Sequence, residues 1–272
     1  MSGRTALITG GSSGIGLAFA RELATEGYAL LLVGNRAEEL EAAAGELWKG
    51  DSERKDAAEK LSEDAKVRTL CIDLAVAGAA EKVMEWCDAL GTVPDVLVNN
   101  AGMFFMQYLA PDALGKVRAM MTLHMDTVTE LCILMGARMK ERGYGRILNV
   151  SSMTARIPAP GIAIYSATKA YLKSFGLSLS YEYNPFGVTV TTLCPAAVDT
   201  GLYPLGDGLR KVLRRTGILR SPEWMAHRAL RAMRHGRRCI SPGLINHILP
   251  PLIAMLPSRL IERLGLKWIQ NS

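Results

Sequence analysis

The stretch Thr9-Gly10-Gly11-Ser12-Ser13-Gly14-Ile15-Gly16 limits the fold more than any other part of the chain. Before it, Thr5-Ala6-Leu7-Ile8 is an apolar run of strand length, and after it Leu17 to Thr25 carries apolar residues at helical spacing. A strand, a tight glycine turn and a helix in that order open a crossover unit. The same order suits a nucleotide pyrophosphate, because glycines let the backbone approach the phosphates and a helix N-terminus presents unpaired N–H groups. Gly10, Ser12, Ser13, Gly14, Ile15 and Gly16 are therefore candidate contacts to a dinucleotide, although glycine turns also occur where nothing binds.

The alternation continues. Strand-like runs recur at Ala29 to Val33, Val67 to Ile72, Val96 to Val98, Arg146 to Val150 and Val188 to Leu193. Between them lie helical stretches from Ala37 to about Lys60, from about Asp112 to Arg142, and from Tyr165 to Tyr183. Right-handed crossovers on such a pattern build an α/β fold, a doubly wound parallel sheet (a Rossmann fold) of about seven strands with helices on both faces. Residues 1–272 are expected to form one domain. A ligand in such a sheet sits beyond the carboxyl ends of the strands, so Gly10 to Gly16, Gly34 to Arg36, Asp73, Asn99 to Gly102, Ser151 to Ser152, and Pro195 to Thr200 should line one crevice.

Tyr165 and Lys169 lie four apart on one helix, hence on one face. A lysine beside a phenol favours phenolate and brings a weak acid nearer neutrality, where it can exchange protons. Taken alone, a Y-x-x-x-K pair is more often structural. Ser152 follows the fifth strand at the lip of the crevice, where its hydroxyl can hold a substrate oxygen or simply cap a turn.

Taken together, Thr9 to Gly16, Asp73-Leu74, Asn99-Asn100-Ala101-Gly102, Asn149-Val150-Ser151-Ser152 and Tyr165-Ser166-Ala167-Thr168-Lys169 follow one another as in the short-chain dehydrogenase/reductase family, which residues 1 to about 200 resemble. The resemblance implies hydride transfer between a nicotinamide and a carbonyl or carbinol carbon. It gives Tyr165 the proton exchange, Ser152 the substrate oxygen, Lys169 the nicotinamide ribose and Asp73 the adenine. Asn100, Ala101, Gly102, Pro195, Val198 and Thr200 join the cofactor contacts. Two departures stand out. Where the family usually has an asparagine supporting a proton-relay water, this chain places His124, which can join a relay or simply pack; and the family's Pro-Gly is Pro195-Ala196.

An acidic residue after the second strand would bind the adenosine ribose hydroxyls and repel a 2′-phosphate. Here the segment is Gly34-Asn35-Arg36, which lacks a carboxylate and offers a planar cation, so NADP(H) is preferred over NAD(H). NADPH-preferring members often carry their arginine where Asn35 stands, and Arg36 can also face solvent.

Composition sets the outer bounds. Five cysteines without a C-x-x-C pair suggest neither a disulfide framework nor a thiolate cluster, and the four histidines lack metal-ligand spacing, so no metal is expected. The chain starts too close to its glycine turn for a signal segment, which points to the cytoplasm. The net charge of +6 is concentrated in late arginines, read as a solvated face or a site for anions or a membrane surface; without interleaved aromatics, nucleic acid is not expected. Residues 201–236 are expected to shape an apolar lid, and the substrate is expected to be an apolar ketone, 3-oxoacyl or steroid compound or the corresponding alcohol. Residues 241–272 mix apolar and basic side chains, broken by Pro250, Pro251 and Pro257, and suit packing or peripheral membrane contact rather than a span. The family resemblance implies a homodimer or homotetramer. A catalytically inactive dinucleotide-binding sensor or scaffold is the alternative, for which His124 and Ala196 are the hints.

Overall fold

The computed structural model describes residues 3–52, 67–157, 159–200, 207–216 and 218–270. The strands β1 (Thr5–Thr9), β2 (Ala29–Gly34), β3 (Val67–Cys71), β4 (Val96–Asn99), β5 (Gly145–Val150), β6 (Val188–Leu193) and β7 (Cys239–Ile240) form one seven-stranded parallel sheet. Their spatial order is β3-β2-β1-β4-β5-β6-β7, so the chain reverses direction across the sheet between β1 and β4. That switch point opens a crevice at the carboxyl ends of the strands. The short seventh strand escaped the sequence pattern because only two residues pair with β6.

Side chains alternate across the pleat, so each apolar strand feeds two cores. Ala6, Ile8, Leu30, Leu32, Val96 and Val98 point to one face, where helices α1 (Gly14–Thr25) and α2 (Ala37–Ser52) cover them. Leu7, Leu31, Val33, Leu97 and Ile147 point to the other, under α3 (Ala79–Ala89) and the helices from the second half. The helix expected from Ala37 to Lys60 is described as far as Ser52, and the rest lies outside the described residues.

The single helix expected over Asp112 to Arg142 is interrupted. A 3₁₀ turn (Pro111–Ala113) leads into α4 (Leu114–Met121), a π turn spans Thr122–Asp126, and α5 (Thr127–Arg142) follows. A π turn inserts an extra residue into the helical ladder and re-aims a side chain, and His124 is the residue it buries. Helix α6 (Ala163–Tyr183) starts two residues before Tyr165 and carries both Tyr165 and Lys169.

Part of the expected lid belongs to the core instead. Beyond α7 (Asp207–Arg215), α8 (Pro222–Arg234) sinks Met225, Ala226, Ala229, Leu230 and Met233 against α1, because its apolar residues recur at helical spacing. Residues 201–206 of that lid lie outside the described residues. The late arginines divide in use: Arg234 bridges Glu22 and Glu26, and Arg210 and Arg214 meet Asp199. The chain closes with α9 (Ile245–Ala254) and α10 (Ser258–Gln270).

Candidate active site

The glycine turn is shaped by what a Cβ would strike. Gly10 has φ +64° and Gly14 φ +55°, conformations that L side chains rarely adopt. At Gly16 the obstacle is contact, since a Cβ would fall 2.0 Å from the Gly10 carbonyl oxygen and 2.5 Å from Asn100 Nδ2. The turn delivers the chain into α1, where Ser13 stands at the N-cap without a side-chain capping bond, leaving the first N–H groups to face a ligand.

The turn is held to the next strand by a small polar staple. Thr9 Oγ1 donates to the Val98 carbonyl at 3.3 Å and accepts from the N–H groups of Asn100 and Ala101 at 3.0 and 3.1 Å. Asn100 Nδ2 donates back to the carbonyls of Thr9 and Gly10 at 3.0 and 3.1 Å. One level down, Asn99 donates to Asn149 Oδ1 at 2.9 Å, joining β4 to β5. The sequence flagged these asparagines as neighbours of the site; the bonding through the Thr9 hydroxyl was missed, since nothing in spacing marks a threonine as the centre of a network.

A groove of about 850 Å³ runs from this turn across the strand ends. It is lined by Gly10, Ser12, Ser13, Gly14, Ile15, Asn35, Arg36, Asp73, Leu74, Asn100, Ala101, Gly102, Ser152, Tyr165, Lys169, Pro195, Val198 and Thr200. Of the residues expected at the site or along the crevice, Gly11, Gly16, Asn99, His124, Ala197 and Asp199 lie outside the lining, with Gly16 beneath Gly10 and His124 behind Gly102. The cradle with its glycine floor and uncapped helix end fits a dinucleotide pyrophosphate.

At the far end, Ser152, Tyr165 and Lys169 are all buried at the groove wall. Ser152 closes β5 and caps the 3₁₀ turn Met153–Arg156, accepting from the Thr154 N–H at 3.2 Å. Lys169 donates from Nζ to the Val150 carbonyl at 3.0 Å, and burial pushes its pKa down to about 8. Its ammonium lies 5.7 Å from the centre of the Tyr165 ring, and Phe104 packs edge-on against the same ring at 5.0 Å. Phe104, brought in by the loop after Gly102, packs on the Tyr165 ring and carried no signal in the sequence.

His124 has both ring nitrogens engaged. Nε2 accepts from the Met103 N–H at 3.1 Å, which places the proton on Nδ1, and Nδ1 lies 3.0 Å from Thr168 Oγ1. Thr168 in turn donates to the Tyr165 carbonyl at 2.9 Å. The imidazole thus spans from the loop before Phe104 to the helix turn between Tyr165 and Lys169. Burial, and secondarily the Lys169 charge, hold its pKa well below the usual histidine value, so it is neutral at neutral pH. Below a pH of about 6.5 the unfolded chain takes up a proton that the folded chain refuses, so stability falls by about 1.4 kcal/mol per pH unit on this account. In urea unfolding, His124→Asn should lack that part of the acid slope; identical slopes in variant and wild type would disprove the neutral clamp.

At the adenosine end, Arg36 is 64% exposed and pairs with Glu39, which also accepts from Ser12 Oγ at 3.4 Å. Glu39 lines the groove and was missed in the sequence, although its place three residues after Arg36 at a helix start was the available signal.

A family model described as short chain dehydrogenase matches residues 4–204. The chain belongs to the short-chain dehydrogenase/reductase family. As a member, it is an oxidoreductase acting on carbonyl and hydroxyl groups with the family's dinucleotide cofactor. It is similar to a very-long-chain 3-oxoacyl-CoA reductase of Homo sapiens, at 30% identity over 94% of this chain and 76% of the relative. It is also similar to 17-beta-hydroxysteroid dehydrogenase type 3 of Danio rerio, at 29% identity over 74% of this chain and 61% of the relative. Among solved structures, a putative NAD(P) dependent gluconate 5-dehydrogenase from Beutenbergia cavernae with bound NADP superposes with a TM-score of 0.73, at 27% identity over 89% of this chain and 95% of that one.

Proposed function

We propose that this short-chain dehydrogenase/reductase uses NADP(H) to interconvert an apolar ketone and its alcohol, with 3-oxoacyl thioesters as the first substrate class and steroids as the second. The observation that carries the reading is the shared wall of Ser152, Tyr165 and Lys169 at one end of a groove whose other end is the glycine cradle. When bound, the nicotinamide supplies or accepts the hydride. In reduction, Ser152 Oγ holds the carbonyl oxygen, and the Tyr165 phenol gives its proton to that oxygen as the carbon is reduced. The Lys169 ammonium lowers the cost of the phenolate left behind. Met103 and Leu123 supply apolar surface to the groove, and Phe104 packs on the Tyr165 ring. The 3-oxoacyl preference is supported by what the human relative is named for, and the NADP(H) preference by Arg36 and the absence of a carboxylate directly after β2.

Nicotinamide absorbance, followed with NADPH or NADH and a panel of 3-oxoacyl thioesters, hydroxysteroids and apolar ketones, tests this reading. Turnover should be highest with NADPH and a 3-oxoacyl thioester. Arg36→Ala should raise the KM for NADPH about tenfold and leave that for NADH unchanged. Glu39→Gln should lower the KM for NADPH, since it frees Arg36 from its carboxylate partner. Cofactor binding without turnover on the whole panel would favour a sensor or scaffold instead.

A further inference from the structure

Helix α9 presents apolar side chains to solvent. Leu244, Ile248, Leu252 and Met255 are 72, 44, 53 and 80% exposed, and their spacing puts them on one stripe. The opposite side of α9 is the packed one, where Asn246 and Pro250 are buried. His247, on the flank of the stripe, lines a neighbouring pocket of about 470 Å³ with Arg228, Arg231, His235 and Arg237. No carboxylate lines that pocket, and among the described residues none of its three arginines has an ion-pair partner. On α10, Arg259 and Arg263 are exposed, with Glu262 exposed between them.

We propose that this face rests on an anionic lipid bilayer, with the α9 stripe in the acyl boundary and the arginine pocket on headgroup phosphates. A bilayer meets both halves of the surface: apolar side chains enter the interface while arginines gain from the negative leaflet. A second copy of the chain does not. An isologous contact through the stripe would cover the apolar side chains but bring no counter-charge to the arginine pocket beside it, since the chain offers the same surface on both sides. Among the described residues no helix is long and apolar enough to cross a membrane, so the contact lies on the surface.

Co-sedimentation of the full chain with phosphatidylcholine vesicles, with and without phosphatidylglycerol, tests the proposal. The chain should partition onto the phosphatidylglycerol vesicles and be released by salt. Replacing Arg228, Arg231 and Arg237 together by alanine should weaken partition on the order of a hundredfold, at about tenfold or less per charge. The matching triple lysine variant should retain most of it, separating charge from damage to the fold. Ile248→Glu with Leu252→Glu should abolish partition while the melting temperature holds. Wild type that ignores phosphatidylglycerol, or an alanine triple that binds like wild type, would overturn the proposal. So would light scattering in which the double glutamate variant splits a wild-type dimer with vesicle binding unchanged.

Discussion

Tyr165→Phe should lower kcat by roughly two to four orders of magnitude and leave NADPH affinity nearly unchanged. The ring itself is retained: Phe104 packs on it edge-on at 5.0 Å, and the residue is only 3% exposed, so the variant loses an O–H and no packing. In the proposed reaction, what disappears is the proton that must reach the substrate oxygen as hydride reaches carbon. Water does not replace it readily at a wall this buried. Steady-state kinetics with a fluorescence titration of NADPH separate the two quantities, and a variant turning over within a few-fold of wild type would remove Tyr165 from the chemistry.

Lys169→Met should stabilise the chain at neutral pH while stopping turnover. The buried ammonium has its pKa pushed from 10.5 to about 8, and the cause is desolvation of the charge. Below pH 8 the folded and unfolded chains are both protonated there, and the folded one bears the full cost. Between 8 and 10.5 the folded chain sheds the proton while the unfolded chain keeps it; above that range the cost is gone. The shift corresponds to about 3 kcal/mol at neutral pH, reduced by the hydrogen bond that Nζ donates to the Val150 carbonyl. Urea unfolding of variant and wild type should therefore show a gap that closes as pH rises through this window. A wild type that is the more stable of the two at neutral pH would show that the lysine holds the fold together rather than straining it.

The sheet and its crevice were legible because their causes are local. Apolar runs of strand length, glycines where the backbone must turn, and side chains four apart on a helix are all written in short windows of sequence. The clustering of Ser152, Tyr165 and Lys169 was legible only through their company along the chain. Features that depend on distant contacts were hidden. The π turn at Thr122–Asp126 reads as ordinary helix, because the partners that make it worthwhile, Met103 and Thr168, lie 21 and 44 residues from His124. Helix α8 reads as lid in the sequence because its arginine-rich exposed side masks Met225, Ala229 and Met233 on the buried side. The two residues of β7 are too few for any periodicity to register.

The staple between Thr9 and Asn100 joins residues 91 apart in the chain, so the cradle floor exists only once β1 and β4 lie side by side. A nucleotide seated there recognises the folded state alone, so mass action adds to the stability of the whole fold as its concentration rises above the dissociation constant. The melting temperature of the chain should therefore climb with the concentration of coenzyme supplied.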